Sequence, residues 1–543
     1  MKRFFAIMLT VITLGLGTSC DKFLNPEQID LVYNDVFWST QTDAEVGLNG
    51  LYALYRGLMA SAENWFQRAD ATTGFWKRGW TGGSPAQLYT EGQYGGTDKS
   101  SLMWGSLEEY ADWSDFYKVI SQANMVITMV EKIPVENFKT PEAKDKVLGE
   151  AYFLRGLVYF NILRIWGNAP YLTTMIESSS QVITPELVPV LIGRTDDIVI
   201  GQNILADVKK AVEKLTYSAP GAAGWGIRAD KGAALALAGH VNMWMHFLAK
   251  RDRMDNVQDY LDAAIEALEE YELNSGRTWV DYSNAENVKA MFKGGSTEAV
   301  FELAIDPDSN ESYRTDWNGI QSLTCKVTPL DGNQKHDRSW SINFVPRAQK
   351  ANIFPEYDFD TKSGDIRPHL FFAAWDSEYD SAVNDTGGPT DDNKITWCTK
   401  WAHFAMDAYA EWDDYDAYYA DCNLPVFRHT DIMLLLAEAY CKDKQYGKAL
   451  PIVNAVRQRA QIGDYKGDNG GLIDEVCQQR YGELIAEGHS YFDMIRNNYF
   501  PNGHLMRADK YKQKGYYWPV SSAILKSNTM IDQTPYWNGK TKW

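Results

Sequence analysis

The sequence predicts a mainly α fold in which paired helices stack into a superhelix, with an irregular, loop-rich insertion set between the pairs. Three observations predict it. Apolar residues recur at helical spacing in paired blocks, small residues crowd where two helix backbones would touch, and periodicity fails between about Trp279 and Asn423. At 543 residues the chain is long enough for several domain-sized units or for one large superhelix. A hydrophobic content of 45% and a charged content of 23% are those of an ordinary globular protein, not of a disordered tail or a membrane-embedded bundle. The net charge of −19 repels phosphates and anionic head groups, which excludes general nucleic-acid binding and polybasic membrane docking. Neutral or cationic ligands fit that field better. With 19 Trp, 31 Tyr and 22 Phe, the aromatics exceed what an aliphatic core needs, so some of them are expected to face water.

Taken in order, residues 1–19 read as a signal peptide: Lys2 and Arg3 precede an apolar run from Phe4 to about Leu16, which is shorter than the ~18 residues of a membrane span. Gly17-Thr18-Ser19-Cys20 resembles a bacterial lipobox, which would make Cys20 the lipidated first residue of the mature protein, followed by a tether to about residue 35. Stable anchoring then needs more than one acyl chain. Cys325, Cys398, Cys422, Cys441 and Cys477 remain; none stands in C-x-x-C spacing, so buried free thiols are expected.

Residues 36–278 form a first helical region. Ala44, Leu48, Leu51, Leu54 and Leu58 make one apolar stripe, and residues 64–104, dense in Gly and aromatics, read as a loop. Helices then pair as 107–133 with 141–166 and 198–215 with 229–250, while 256–273 stands alone. Ala233, Ala234, Ala236, Ala238 and Gly239 mark a close backbone approach. Residues 279–423 form the irregular subdomain, where turn formers and tryptophans replace periodicity; loops on a rigid scaffold commonly carry function. Residues 424–543 return to helices, with 431–441 paired to 446–460 through Tyr446, Ala449, Ile452 and Val456. Pairs of this length resemble tetratricopeptide repeats.

A search for catalytic chemistry returns little. No H-E-x-x-H, phosphate-loop or dinucleotide fingerprint occurs. Glu483 and Glu487, flanked by Arg480, His489, Asp493 and Arg496, have glycosidase-like spacing, but opposite charges one helical turn apart read as a structural ion-pair lattice. Asp306-Pro307-Asp308-Ser309-Asn310 places oxygens at positions 1, 3 and 5 of a calcium loop and lacks its Gly and Glu. No cofactor is therefore expected, with a structural calcium as the alternative to a solvated acidic turn. The positive signal is aromatic: Trp76, Trp80, Tyr94, Trp317 and Trp340 sit among Gly, Asn, Asp and Arg, the mixture that stacks on a pyranose face and binds its hydroxyls.

Four segments carry a family resemblance. Trp113-Ser-Asp-Phe-Tyr-Lys-Val-Ile-Ser-Gln-Ala-Asn124, then Glu150-Ala-Tyr-Phe-Leu-Arg-Gly-Leu-Val-Tyr-Phe160 closed by Trp166-Gly-Asn-Ala-Pro170, resemble N-terminal motifs of the SusD/RagB lipoproteins of Bacteroidetes. Arg480-Tyr-Gly-Glu-Leu-Ile-Ala-Glu-Gly-His489 and Tyr517-Trp-Pro-Val520 with Asn528 and Gln533-Thr-Pro-Tyr536 are similar to its C-terminal motifs, with Ser490 in place of the common Arg. The resemblance implies a non-catalytic glycan-binding lipoprotein of the outer membrane, surface-exposed, partnered with a SusC-like TonB-dependent transporter. A peptide or glycoprotein receptor of the same architecture, or a glycoside hydrolase, are the alternatives.

Overall fold

The computed structural model describes residues 37–60, 64, 68–73, 76–78, 110–175, 191–305, 344–346, 353–373, 375–376, 397–401, 404–406, 418–500, 506 and 508–539. Its first helices are α1 (Gln41–Met59), α2 (Ser114–Lys132), α3 (Pro141–Trp166), α4 (Asp197–Lys214), α5 (Lys231–Asp252), α6 (Val257–Asn274) and α7 (Ala285–Lys293). Local chemistry starts them. Thr40 and Asp43 form a capping box on α1, Thr140 caps α3 ahead of Pro141, and Asp196 and Asp230 cap α4 and α5.

From α1 to α6 each helix packs on the next in sequence, the arrangement of a helical superhelix. Amphipathic helices flank two that are not: α3 is buried continuously from Val147 to Trp166, and α5 from Gly232 to Ala249 except at Ala238. A helix apolar all round belongs at the centre of its stack. Small residues bring the layers together, since a Cβ at Gly239 would run into Leu268 of α6 and one at Gly201 into Met245 of α5. The sequence stripe on α1 needs one correction. Tyr55 is buried with Ala44, Leu48, Leu51 and Leu58, whereas Leu54 is 42% exposed, because Tyr55 turns toward the ring of Phe301.

The helix that the sequence leaves unpaired, α6, is the bridge. It packs on α5 and on α9 (His429–Lys442), which follows the short α8 (Arg367–Phe371), so the helical stack continues across the irregular segment. Beyond it, α10 (Tyr446–Arg459) and α11 (Leu472–Leu484) pack on α9, and α12 (Ser490–Asn497) packs on α11. Ala449, Ile452 and Val456 are buried on α10, as the spacing predicts, and Tyr446 is half-buried.

Strands are short, and among the described residues they form two-stranded antiparallel pairs. β1 (Trp76–Arg78) pairs with β3 (Phe344–Pro346), and β2 (Ala299–Leu303) with β10 (Leu424–Arg428). Between them lie β4 (Tyr357–Asp358) with β5 (Ser363–Gly364), β6 (Phe372–Ala373) with β7 (Trp397–Cys398), and β8 (Phe404–Met406) with β9 (Tyr418–Ala420). Every residue of β2 and β10 is buried, so this ribbon is core at the junction of the irregular segment and the helices.

The aromatic excess goes inward here. Among the described residues, Trp76, Trp166, Trp244, Trp375, Trp401 and Trp518 are almost wholly buried, and the exposed large aromatics are Phe37 and Phe359. Trp166 meets Trp113 and Phe116 edge-on at 5.8 and 5.3 Å, and Trp375 meets Phe354 at 5.3 Å, the favoured T-shaped geometry. Cys398, Cys422, Cys441 and Cys477 are free and buried; burial pushes the Cys398 and Cys441 thiols up to about 12, so they are inert apolar fillers. Among the described residues no helix is long and apolar enough to cross a membrane.

Replacing Gly239 by Val forces its side chain into Leu268, so overpacking should cost ~1–3 kcal/mol. Chemical denaturation measures it; an unchanged midpoint would mean that α5 and α6 can separate freely.

Candidate functional site

The residues singled out for chemistry fall into three groups. Trp80, Tyr94, Trp317, Trp340, Cys20, Cys325 and the acidic turn 306–310 lie outside the described residues. Trp76 is described, and it corrects the expectation of an exposed platform. It is 0% exposed, within 6.3 Å of Phe372, because the β1–β3 pairing folds this end of the aromatic loop onto the core. Glu483 and Glu487 form the third group.

Those two carboxylates are structural, although not as a lattice along one helix. α11 ends at Leu484, so Glu487 is off the helix, and the partners come from elsewhere in the chain. Glu483 accepts from Tyr282 at 2.9 Å and Arg459 at 3.0 Å, with Arg367 and Arg428 each at 3.4 Å. Glu487 accepts from Lys400 at 2.6 Å and Arg428 at 2.7 Å. Arg428 and Arg459 also grip Glu298, and Arg367 pairs with Asp365. Four acids thus face four bases in a buried network (Glu298, Asp365, Glu483, Glu487; Arg367, Lys400, Arg428, Arg459), leaving no carboxylate free to serve as an acid or base. The Arg459 and Arg428 charges hold the Glu298 carboxyl well below its usual range against the opposing effect of burial.

Arg480 belongs to a second cluster. It bonds Asp493 and Asp431 at 2.7 Å each, and His240 sits 2.8 Å from the other Asp431 oxygen. His240, Asp431 and His489 bring three potential ligand atoms within 4.8 Å of one another. The arrangement does not suit a cation: Arg480 already puts a fixed charge on the only carboxylate, and His240 is hydrogen-bonded to it. Burial pushes the His489 imidazole down to about 4 and lowers that of His240, so both are neutral core groups.

The family-like motifs form two more joints of the scaffold. Arg155 of α3 takes Asp207 of α4 in a fork at 2.7 and 2.6 Å and Asn124 of α2 at 2.8 Å; Asn124 in turn donates to the Leu172 carbonyl. The Trp166–Pro170 turn meets the Tyr517–Val520 segment: Trp518 N–H donates to Ile165 O at 2.8 Å, and Trp166 Nε1 to Pro519 O at 3.1 Å. Gly167 takes φ +69° beneath Tyr517, where any side chain would clash.

What remains is a surface and a cavity. β1 and β3 run antiparallel, Trp76 opposite Pro346 and Arg78 opposite Phe344, so one end of this ribbon is formed by Arg78 and Phe344 together. Just upstream, Asp70 pins the segment: its buried carboxylate accepts Gly488 N–H at 2.5 Å and Ser490 N–H at 3.3 Å, at the turn entering α12. The cavity, of about 340 Å³, lies between α1, residues 227–228 and β2. Tyr52, Tyr55, Phe301 and Leu303 form its apolar wall, and Asn49, Arg56, Arg228 and Glu302 its polar side. Arg228 is clamped over the Tyr52 ring at 4.3 Å, on Glu150 at 2.7 Å and on Asn49 at 2.6 Å. Nothing in the sequence periodicity marked this cavity, since Asn49, Arg228 and Phe301 come from three distant segments.

Known proteins share this architecture. The sequence model described as the SusD family matches residues 297–506, and one described as starch-binding associating with outer membrane matches residues 89–243. SusD-like protein P38 of Formosa agariphila is 24% identical over 92% of both chains, and a SusD-like protein of Bacteroides ovatus is 24% identical over 70% of this chain and 64% of its own. Among solved structures, a SusD homolog from Bacteroides thetaiotaomicron superposes with a TM-score of 0.72 at 24% identity, covering 92% of this chain and 99% of the other. A laminarin binding SusD-like protein superposes with a TM-score of 0.67 at 19% identity, over 92% of this chain and 99% of the other.

Burial pushes the Asp70 carboxyl from its ordinary 3.8 up to about 7. Between roughly pH 4 and 7 the native state then holds a proton that the unfolded chain has released, so this group's contribution to stability falls as pH rises through that window. Asp70→Asn cannot ionise, and its stability relative to wild type should therefore rise from pH 4 to pH 7. Urea titrations of both proteins across that range measure the difference; a constant difference would refute the assignment.

Proposed function

This chain belongs to the SusD family, and from that premise we propose that it is a non-catalytic glycan receptor that hands oligosaccharides to a SusC-like TonB-dependent transporter, anchored at the outer-membrane surface by lipid on Cys20. The observation that carries the reading is the β1–β3 ribbon. It ends at Arg78 and Phe344, two residues before Trp80 and four after Trp340. Two aromatic-rich stretches far apart in sequence adjoin, along the chain, the two strands of one antiparallel pair, which supports grouping Trp80, Tyr94, Trp317 and Trp340 in one ligand surface.

The chemistry suits sugars. Flat rings stack on the C–H face of a pyranose, and the Gly, Asn, Asp and Arg around them bind hydroxyls. The Asp70 tether and the buried ion network fix described segments of the scaffold next to β1, and a fixed scaffold lowers the entropy cost of binding on it. The full engagement of Glu483 and Glu487 in ion pairs favours capture over hydrolysis. Next to a channel, a membrane-anchored receptor raises the local ligand concentration at its mouth, so modest affinity suffices. The same fold in a laminarin binding relative supports a glycan as the ligand.

Titration calorimetry against a polysaccharide panel, with a reducing-end assay on the same samples, tests the reading: saturable binding to one class without new reducing ends is expected. Binding to peptides and to no sugar would replace it with a peptide receptor. Substituting Trp80 and Trp340 together by Ala should weaken the glycan about tenfold or more at unchanged melting temperature, each stacked ring contributing ~1 kcal/mol. Trp76→Ala should instead lower the melting temperature, because its ring is core.

Cys20→Ala should move the protein from the membrane to the soluble fraction, since the acyl chains supply the membrane affinity. Continued membrane retention would remove the anchor.

A further inference from the structure

The α1–β2 cavity holds hydrogen-bonding capacity of both kinds that the chain itself leaves unused. Glu302 is 4% exposed; its Oε2 receives Gly295 N–H and Asn423 Nδ2, both at 2.9 Å, and its Oε1 has no partner among the described residues. Arg228 spends Nε on Glu150 and Nη1 on the Asn49 carbonyl oxygen, so among the described residues Arg228 Nη2 and the Asn49 amide N–H2 are also without partners. One carboxylate acceptor and two donor groups therefore line the same space. A buried acceptor left unpaired is costly, and an incoming hydroxyl relieves that cost. Burial raises the Glu302 carboxyl above its ordinary range, and a hydroxyl pairs with it whether or not it carries a proton.

The charges around the cavity oppose each other. Arg56 and Arg228 stand with Glu302 and Glu150, and Glu45 acts on Arg228 from α1. An anion meets the Glu302 carboxylate, and a cation meets the Arg228 guanidinium. A hydroxyl group suits both sides, because it donates to the carboxylate and accepts from the guanidinium and the amide. We propose that the cavity between α1, residues 227–228 and β2 is a second binding site, which takes a single uncharged pyranose ring: a monosaccharide or the end residue of a glycan. Opposite the polar side, Tyr52, Tyr55, Phe301 and Leu303 offer an apolar wall to the C–H face of such a ring. Phe301 is held edge-on against Phe153 at 4.9 Å and Arg228 on Glu150 at 2.7 Å, so both sides are set before the ligand arrives. A volume of about 340 Å³ is at the small end of ligand clefts, which suits one ring rather than a long chain. The choice of a sugar among uncharged polyols rests on the reading of this protein as a glycan receptor; the site itself is separate from the Trp80 and Trp340 surface.

The test titrates the intact chain, by calorimetry and saturation-transfer NMR, with D-glucose, D-galactose, D-mannose and D-xylose. D-glucuronate and choline are the charged controls, and cyclohexanol is a ring without the set of hydroxyls. Ala53→Phe fills the cavity from α1 without altering a charge, and Asn49→Ala removes one rim donor at an exposed position. In Glu302→Gln the side-chain carbonyl must stay toward Gly295 and Asn423, so the amide N–H2 turns into the cavity and the acceptor there becomes a donor. At least one of the four sugars should bind about tenfold tighter than the three controls, with little dependence on salt. Its affinity should fall about tenfold or more in Ala53→Phe and in Glu302→Gln, and about threefold in Asn49→Ala at unchanged melting temperature. It should persist in the Trp80→Ala, Trp340→Ala double variant, which leaves this cavity intact. A control that binds as tightly as the best sugar, binding undiminished in Ala53→Phe or in Glu302→Gln, binding lost in the double tryptophan variant, or no binding of any of the four sugars would each overturn the proposal. Polysaccharide binding without binding of any single sugar removes this site and leaves the receptor reading standing; single-sugar binding without polysaccharide binding does the reverse.

Discussion

The interaction on which this fold depends is the buried exchange of charge among Glu298, Glu483, Glu487, Arg367, Arg428, Arg459 and Lys400. Taking each ion out of water costs several kcal/mol, and removing one partner of a buried pair typically destabilises by ~3–5 kcal/mol, because it leaves the other charge buried and uncompensated. Its value lies in what it joins. Arg428 ends β10 and opens α9, Glu298 precedes β2, Arg459 closes α10, and Glu483 lies in the last turn of α11. Arg367 and Lys400 come from the irregular segment and reach the same two glutamates. Displacing the stretches that carry Arg367 and Lys400 would strand buried charges, so these two described parts of the irregular segment are held in place on the helices.

This network also shows where sequence reasoning stops. The helices were legible because their burial is periodic or continuous: the bounds of α3, α5 and α10 differ from the periodic blocks by a few residues at most. On α1 the pattern pointed to Leu54 where the buried residue is Tyr55, because a long side chain reached a ring on β2 that no local pattern could anticipate. Glu483 and Glu487 looked like a helix-surface lattice, yet their partners are Tyr282, Arg367, Lys400, Arg428 and Arg459. Local spacing predicts neighbours along a helix and is blind to partners brought in by topology. Trp76 fails for the same reason, since its burial depends on pairing with Pro346, far along the chain. The cavity between α1 and β2 was invisible altogether, being assembled from three segments with no shared period.

The motifs that made the family recognisable turn out to bind one another. Arg155, Asn124 and Asp207 lock three consecutive helices, and the Trp166 turn is met by Tyr517 to Pro519. Their residue types are fixed by geometry: a fork for a carboxylate, a glycine at positive φ under a tyrosine ring, an indole N–H that must find a carbonyl. Each demand is met within the chain itself, which is why these motifs could be read as scaffold.

The clasp between the Trp166 turn and residues 516–537 bears on how the chain matures. Arg194 donates to the carbonyls of Trp166, Asn168 and Asp532, Gln533 pairs with both backbone groups of Val520, and Trp537 Nε1 donates to Tyr517 O. The carbonyl of Ile165 and the indole of Trp166, at the end of the central helix, have these tail groups as partners. During vectorial synthesis or export the N-terminal helices emerge first, and they wait with those polar groups unmet and the face beneath Trp518 open. A chain cut or stalled before the tail keeps nearly all of its helices but remains open at that joint, where proteases can discriminate it from the finished product.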